Sequence, residues 1–565
     1  MINMAKIEKG VIKAHALINA SKYNGKANQG AVLAGLFSEG LKKNEIKDFL
    51  PTIQKVLQEV NEMSLETQQK EIKKLKHEVS KREIREGLPV LDNATKGKVV
   101  LRFAPFPSGP LHIGNARQLI LNSEYSKMYD GRIIIVMDDT IGSEAKPIEP
   151  DAYELIEEGV KWLGIKHSKK FVYKSDRMEL YYSYAKEMIK KGYMYVCSCD
   201  PEIMRKEKAK GIECSCRNLS HEENLDRWKK MFKAKEGKYC VRLKTSMSDP
   251  DPAFRDRVMF RISRRKHPRT HKKYQVYPLL DFSWAIDDHL LGITHIIRGN
   301  DLIMETRVEK FIWDIFGWKH PHVKHTGFLS VEGIKLSKSK GAKEVRAGEF
   351  RGWNDPRTWS LQSLRDRGIL PEAINEFIVG QGVRKSGATV PVDVLYTINK
   401  KLIENSRRFF FVPDPVKIKI NGTPDLIAKM PSGQKGKGNN REYKTHQTFY
   451  IPREDFDLME NGDYRLLHLL NFRASQILTA KPREFSFLSA DPDERLEVKY
   501  IQWLPGEEDG LKVEVVMPDG SLVKGLGEKK LGSLKGGDIV QLERFGFVRL
   551  NKKDKGKLLF FFAHN

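Results

Sequence analysis

A chain of 565 residues exceeds what one hydrophobic core supports, about 250–300 residues, so several domains are expected. Lysine and arginine number 99 against 74 aspartate and glutamate, a formal charge of +25, and such an excess favours a polyanionic partner such as nucleic acid. No run of about 18 apolar residues occurs, which excludes a membrane-spanning helix, and the N-terminus lacks the apolar stretch of a secretory signal.

Residues 1–92 show helical apolar spacing, including Ile53, Val56, Leu57 and Val60, with a glycine-bounded turn at 25–30; a small helical domain is predicted. From Lys98 the texture changes. The β-branched runs 99–103 and 133–137 flank a helical stretch at 116–129, which predicts a βαβ unit, hence a parallel sheet with its ligand site at the strand C-terminal ends. Residues 196–275 interrupt this pattern with cysteines and a basic run, and the apolar stretch 290–299 resumes it. An insertion splitting a doubly wound fold is expected. Gly352-Trp353-Asn354-Asp355-Pro356-Arg357 then precedes helical spacing through Leu361, Leu364, Ile369, Ile374 and Phe377. From about residue 409 the signals are all β, with runs at 498–503, 511–517, 539–550 and 558–562 and a turn at Pro518-Asp519-Gly520. Residues 431–440 have the composition of a flexible loop.

Two short segments carry most of the chemistry. The first, Arg102-Phe103-Ala104-Pro105-Phe106-Pro107-Ser108-Gly109-Pro110-Leu111-His112-Ile113-Gly114-Asn115, is a Pro/Gly-rich turn between strand and helix. There backbone approaches a phosphate closely, and the helix start offers unpaired N–H groups and positive dipole character. The second, Lys335-Leu336-Ser337-Lys338-Ser339, puts two lysines on a loop after Val331-Glu332-Gly333, where they can reach a triphosphate. Together and in this order they resemble the signature pair of class I aminoacyl-tRNA synthetases. Arg102-Phe103-Ala104-Pro105, Asp138-Asp139-Thr140, Asp281-Phe282, Asp287 through His295, Arg298-Gly299, Gly352 through Arg357 and Val540 through Arg549 look like glutamyl-tRNA synthetase of the archaeal/eukaryotic type.

The resemblance implies the architecture. A multidomain chain is expected, with an α/β Rossmann-like catalytic domain (a doubly wound parallel sheet) at 93–195 and 276–345. An acceptor-end-binding insertion would occupy 196–275. The N-terminal helical domain is 1–92, a helical stem-contact region 346–408, and β-barrel anticodon-binding domains 409–565. It also implies ATP with Mg²⁺, a glutamyl-adenylate intermediate, and tRNA(Glu) as partner in the cytoplasm. Whether tRNA(Gln) is charged too stays open. His112, Lys335 and Lys338 would be catalytic. ATP would meet Pro107, Ser108, His112, Gly114, Asn115, Gly299, Leu336, Ser337 and Lys338; Asn115 stands where the family usually has a second histidine. Asp138 would hold the substrate ammonium, and Arg102 and Arg298 the glutamate. Arg298 decides the amino acid, because a buried carboxylate needs a paired cation and arginine supplies it in bidentate form. Glutaminyl-tRNA synthetase and a catalytically silent RNA-binding relative are the alternatives.

Cys197-Ser198-Cys199 and Cys214-Ser215-Cys216 form two close pairs, and four thiolates suit a closed, structural tetrahedral Zn²⁺ in a reducing compartment. Cys240 stands apart and reads as a buried hydrophobe. The run 261–273 carries seven Lys/Arg and no acid, and within the insertion that the resemblance implies it is expected to guide the tRNA acceptor stem.

Overall fold

The computed structural model describes residues 8–75, 87–430, 433, 441–475 and 483–565, save 22, 24, 40, 42–44, 142, 144–145, 335–337, 508–509 and 555. The chain divides into two compact units, 1–86 and 87–565. In the first, helices Lys9–Ala20, Gln29–Ser38, Ile46–Glu62 and Leu65–Leu75 bury Ile12, Leu17, Val32, Ile53, Val56 and Val60 against one another. Asn28 caps the second helix by accepting from the Gly30 and Ala31 N–H groups, which ends the preceding turn.

The second unit begins with parallel strands Val100–Phe103, Arg132–Met137 and Val172–Tyr173. Helix Ile113–Met128 connects the first two, three residues longer at its start than the apolar spacing suggests, because His112 caps it. Strands His295–Gly299 and His322–Thr326 form a second parallel pair, joined to the first sheet where the Thr294 N–H donates to the Val100 carbonyl at 2.9 Å. Between these halves lies an antiparallel sheet of four strands in chain order, Met194–Cys197, Cys240–Leu243, Val258–Ile262 and Val276–Pro278. Helices Leu361–Arg367, Pro371–Gln381 and Val392–Ile403 follow, burying Leu361, Leu364, Ile374 and Phe377 in a core shared with the first parallel sheet.

The C-terminal region consists chiefly of two seven-stranded sheets. In spatial order the first runs Arg408–Phe409, Ile539–Leu542, Gly546–Asp554, Lys557–His564, Leu511–Val516, Leu522–Gly527, Phe411–Pro413. Its two end members are consecutive pieces of one stretch, 408–413, which pairs with strands at both edges. The second sheet has the same property: Lys499–Ile501 and Leu504–Pro505 stand at its opposite ends, and between them run Gly462–Leu466, Leu470–Ser475, Glu484–Ser489, Pro415–Asn421 and Thr448–Pro452. Two details depart from the sequence reading. The run 539–550 is not one strand but a hairpin, turned at Arg544 with φ 58°. Within the predicted all-β region a short helix, Arg453–Asp457, also forms.

Candidate active site

One cavity of about 1150 Å³ gathers Arg102, His112, Gly114, Asn115, Asp138, Arg298 and Gly299 from four separate segments. Seven of its described lining residues are Lys or Arg and three are Asp, so it favours an anionic occupant. The strand C-terminal ends put Phe103 and Gly299 on its wall, and the first turn of helix Ile113–Met128 supplies Gly114 and Asn115.

His112 does more than face the cavity. Its Nδ1 accepts from the Gly114 and Asn115 N–H groups at 3.1 and 3.3 Å. Nδ1 is therefore the unprotonated nitrogen of the neutral ring, and Nε2 carries the hydrogen. This corrects the expectation of an uncapped helix start: the side chain at the N-cap folds back and satisfies two of the first-turn donors. Buried Ser108 Oγ and Asn115 Oδ1 in the same turn have no hydrogen-bond partner. Ser108 and Pro107 do not line the cavity itself. Residues 335–337, which include Lys335, Leu336 and Ser337, lie outside the described residues; Lys338 opens helix Lys338–Arg346.

The floor is built of charge around Trp284. Arg102, Lys174 and Arg298 lie 4.5, 4.8 and 5.5 Å from its ring centroid. Each cation is matched by an acid. Asp288 accepts from Arg102 Nε and, at 2.9 Å, from Nη2; Asp138 accepts from Lys174 Nζ at 2.9 Å. Arg298 gives Nη1 and Nη2 to the Glu309 carboxylate at 2.9 and 2.5 Å. Burial alone would lower the Arg102 guanidinium, but Asp288 outweighs it and holds the group above its ordinary value. Burial raises the Glu309 carboxyl despite Arg298. Both terminal nitrogens of Arg298 are thus occupied within the protein, and its buried Nε is the one without a partner. Sequence reasoning missed Lys174, Trp284, Asp288 and Glu309. Lys208 was missed too: it lines the cavity from helix Pro201–Lys210, and burial followed by Arg242 and Arg257 pushes its amine down to about 8.

In a separate cluster, the Sγ atoms of Cys197, Cys199, Cys214 and Cys216 all lie within 4.8 Å of one another. Cys197–Cys214 and Cys199–Cys216 are each 3.8 Å apart. Arg227 Nη1 donates to Cys216 Sγ at 3.2 Å and Arg242 Nη1 to Cys214 Sγ at 3.4 Å, the charge that thiolates attract. Cys240 does not stand apart: it is paired in register with Cys197 and packs against this cluster. The basic run is divided as well. Arg269 pairs with Asp176 and stacks over Tyr173 at 3.8 Å, and buried His267 links Nε2 to the Asp139 carbonyl at 2.6 Å. Arg264, Arg265, Lys266, Lys272 and Lys273 remain exposed.

Residues 98–405 match the family model for the catalytic domain of class I tRNA synthetases (E and Q), and 406–488 and 487–551 match two models for the anticodon-binding domains of the same group. The chain belongs to this family of class I tRNA synthetases. Its similarity to curated relatives runs the whole length. The glutamate–tRNA ligase of Pyrococcus abyssi is 42% identical over 577 aligned residues, covering 99% of this chain and 100% of that protein. That of Methanocaldococcus jannaschii is 41% identical, covering 97% and 98%. A solved glutamate tRNA ligase from Elizabethkingia meningosepticum aligns with TM-score 0.40 and 22% identity over 54% of this chain and 70% of its own. The matched catalytic domain precedes the sheet-rich anticodon-binding region.

Proposed function

We propose that this chain joins L-glutamate to tRNA(Glu) through a glutamyl-adenylate. The observation that carries the reading is the match of nearly the whole chain, at about 40% identity, to archaeal glutamate–tRNA ligases. In the first step the glutamate α-carboxylate attacks the α-phosphorus of ATP, forming a P–O bond as pyrophosphate leaves. In the second, the terminal ribose hydroxyl of tRNA attacks the adenylate carbonyl and releases AMP.

The side chains have separable tasks. Nε2–H of His112, the dipole of helix Ile113–Met128 and Lys338 would meet the phosphates, where negative charge grows as pyrophosphate departs. Lys335 would act with them, and Mg²⁺ enters as part of the nucleotide substrate. Asp138, held by Lys174, would receive the substrate ammonium. Arg298 Nε would offer a donor to the glutamate γ-carboxylate, in a cavity whose cations outnumber its acids. No side-chain nucleophile is needed, since both nucleophiles belong to substrates. The finer architecture follows the same reading. The split parallel sheet would be a doubly wound Rossmann-like domain, 196–275 the acceptor-end insertion and 346–408 the stem-contact helices. The two sheets whose ends share one stretch would be the barrels.

The test is ATP–pyrophosphate exchange with glutamate or glutamine, each with and without tRNA. Glutamate-driven exchange is expected. Exchange with glutamine alone would transfer the chain to the glutamine branch, and no exchange in any condition would leave an RNA-binding relative.

A structural Zn²⁺ belongs to the same proposal. Four Zn–S bonds of about 2.3 Å in tetrahedral geometry place sulfurs about 3.8 Å apart, which matches the two 3.8 Å separations. All four sulfurs would be ligands, leaving no open position for chemistry. Metal analysis of freshly purified protein is expected to find one zinc per chain, and Cys214→Ser to remove it and lower the melting temperature. Protein without zinc but with an unchanged melting curve would reject the site.

A further inference from the structure

Trp353 touches the first signature segment and, at the same time, the helix that follows the second. A Cβ placed on Gly109 would come within 2.9 Å of Cη2 of its indole, and a Cβ placed on Gly341 within 3.3 Å of Cζ3. Gly109 belongs to the turn that leads to His112, and Gly341 to the first turn of helix Lys338–Arg346. The chain between Lys338 and the turn runs through other elements, so no covalent path sets their spacing. The indole fills the space that two missing side chains leave.

The loop carrying it is held stiffly. The Trp353 carbonyl accepts from Thr358 Oγ1 at 3.0 Å and Ser360 Oγ at 2.5 Å. Fully buried Asp355 accepts from the Arg351 and Arg357 N–H groups, both at 3.1 Å, and from Arg357 Nε and Nη2 at 2.8 Å. Beyond it, the Leu361 N–H donates to the Leu111 carbonyl at 2.8 Å, fastening the same segment beside His112. A second strap follows another route: Arg346 pairs with Glu149, whose N–H donates to the Pro107 carbonyl at 2.9 Å.

We propose that Trp353 is a positioning residue for adenylate formation, a spacer that sets the distance from the His112 turn to the helix opened by Lys338. This rests on the proposed function, because the distance matters only if both segments act on one triphosphate. The residue would touch neither substrate. Its loss should therefore appear in kcat, where a displacement of about 1 Å costs on the order of 10²-fold, and little in KM for ATP.

Gly341→Ala is the decisive variant because two effects oppose each other. Alanine is the better helix former, so propensity predicts a firmer helix. The indole contact predicts a displaced one. Pyrophosphate exchange by Trp353→Ala, Trp353→Phe, Gly341→Ala and the double variant Gly341→Ala/Trp353→Phe should be measured beside wild type. Hydrogen exchange of residues 338–346 and tRNA binding would be followed in the same proteins. We expect Trp353→Ala to lose roughly a hundredfold in kcat, with tRNA binding retained. Gly341→Ala should lose activity, and Trp353→Phe should restore part of it in the double variant. Faster hydrogen exchange in 338–346 should accompany the Trp353→Ala loss. Full activity in Gly341→Ala, or additive losses in the double variant, would overturn the spacer. So would equal losses of kcat, tRNA binding and melting temperature, which mark a merely structural tryptophan. If wild type itself shows no exchange, the functional reading fails; unchanged hydrogen exchange in Trp353→Ala would then reject the spacer on its own.

Discussion

Arg298→Gln is expected to lose glutamate-driven pyrophosphate exchange and about 3–5 kcal/mol of folding stability, the range for removing one partner of a buried ion pair. Glu309 is fully buried, and both terminal nitrogens of Arg298 rest on its carboxylate. Glutamine cannot replace that charge. Burial already raises the Glu309 carboxyl with the arginine in place, and without it the carboxyl should rise further. The pH dependence follows in sign. Above the unfolded value, near 4.3, the variant's Glu309 stays protonated in the folded state while the unfolded chain ionises. Folding then takes up a proton, so the variant loses stability as pH rises from that value towards the raised folded one. Urea unfolding at several pH values checks this. Arg298→Gln/Glu309→Gln separates the two roles: stability should return in large part, activity should not. Recovery of exchange in that double variant would show that Arg298 serves the fold alone.

Lys338→Ala should lower the exchange rate by on the order of 10²–10³-fold, the size of one lost contact to charge that develops in the transition state. Lys338 stands at the start of helix Lys338–Arg346, where, on the proposed function, its positive charge and the helix dipole would act on the same anion. Binding of tRNA, measured by filter retention, should stay within about twofold, because one lysine is a small part of a polyanion interface. Parallel loss of binding and exchange would place Lys338 in the tRNA contact instead.

The predicted βαβ unit and the paired cysteines were legible because each is a local pattern. An apolar run, a Pro/Gly turn and a C-x-C pair need only neighbouring residues to be recognised. His112, Asn115, Asp138 and Arg298 could be named for the same reason, through motifs that hold them in fixed local order. What surrounds them could not. Lys174 reaches Asp138 only when Val172–Tyr173 pairs with Arg132–Met137, and Trp284 reaches Arg102 from a helix far along the chain. Glu309 lies one helix beyond Arg298 and has no sequence signal of its own. The bidentate contact expected between Arg298 and substrate is occupied by this residue. His112 capping its own helix shows the same limit: the residue was legible, its hydrogen-bond partners were not. The hairpin at Arg544 escaped because arginine carries no turn signal, and only the structure shows its left-handed φ.

The stretch 408–413 also has a temporal meaning. It supplies both ends of a sheet whose other five strands lie between residues 511 and 564, and the whole second sheet is encoded between these parts. During synthesis, Phe409, Phe410 and Phe411 leave the ribosome about 100 residues ahead of any partner strand, while the nested sheet can already assemble. The outer sheet must wait for residues 557–564, because Lys557–His564 is its central member. Its contacts are the most sequence-distant of the C-terminal region, the kind that form late and slowly. A ribosome stalled before residue 511 has emerged should therefore carry an inner sheet that already holds Phe410 and Val412 in its core, while Phe409 and Phe411, which belong to the outer core, stay bare, the species that a chaperone would meet.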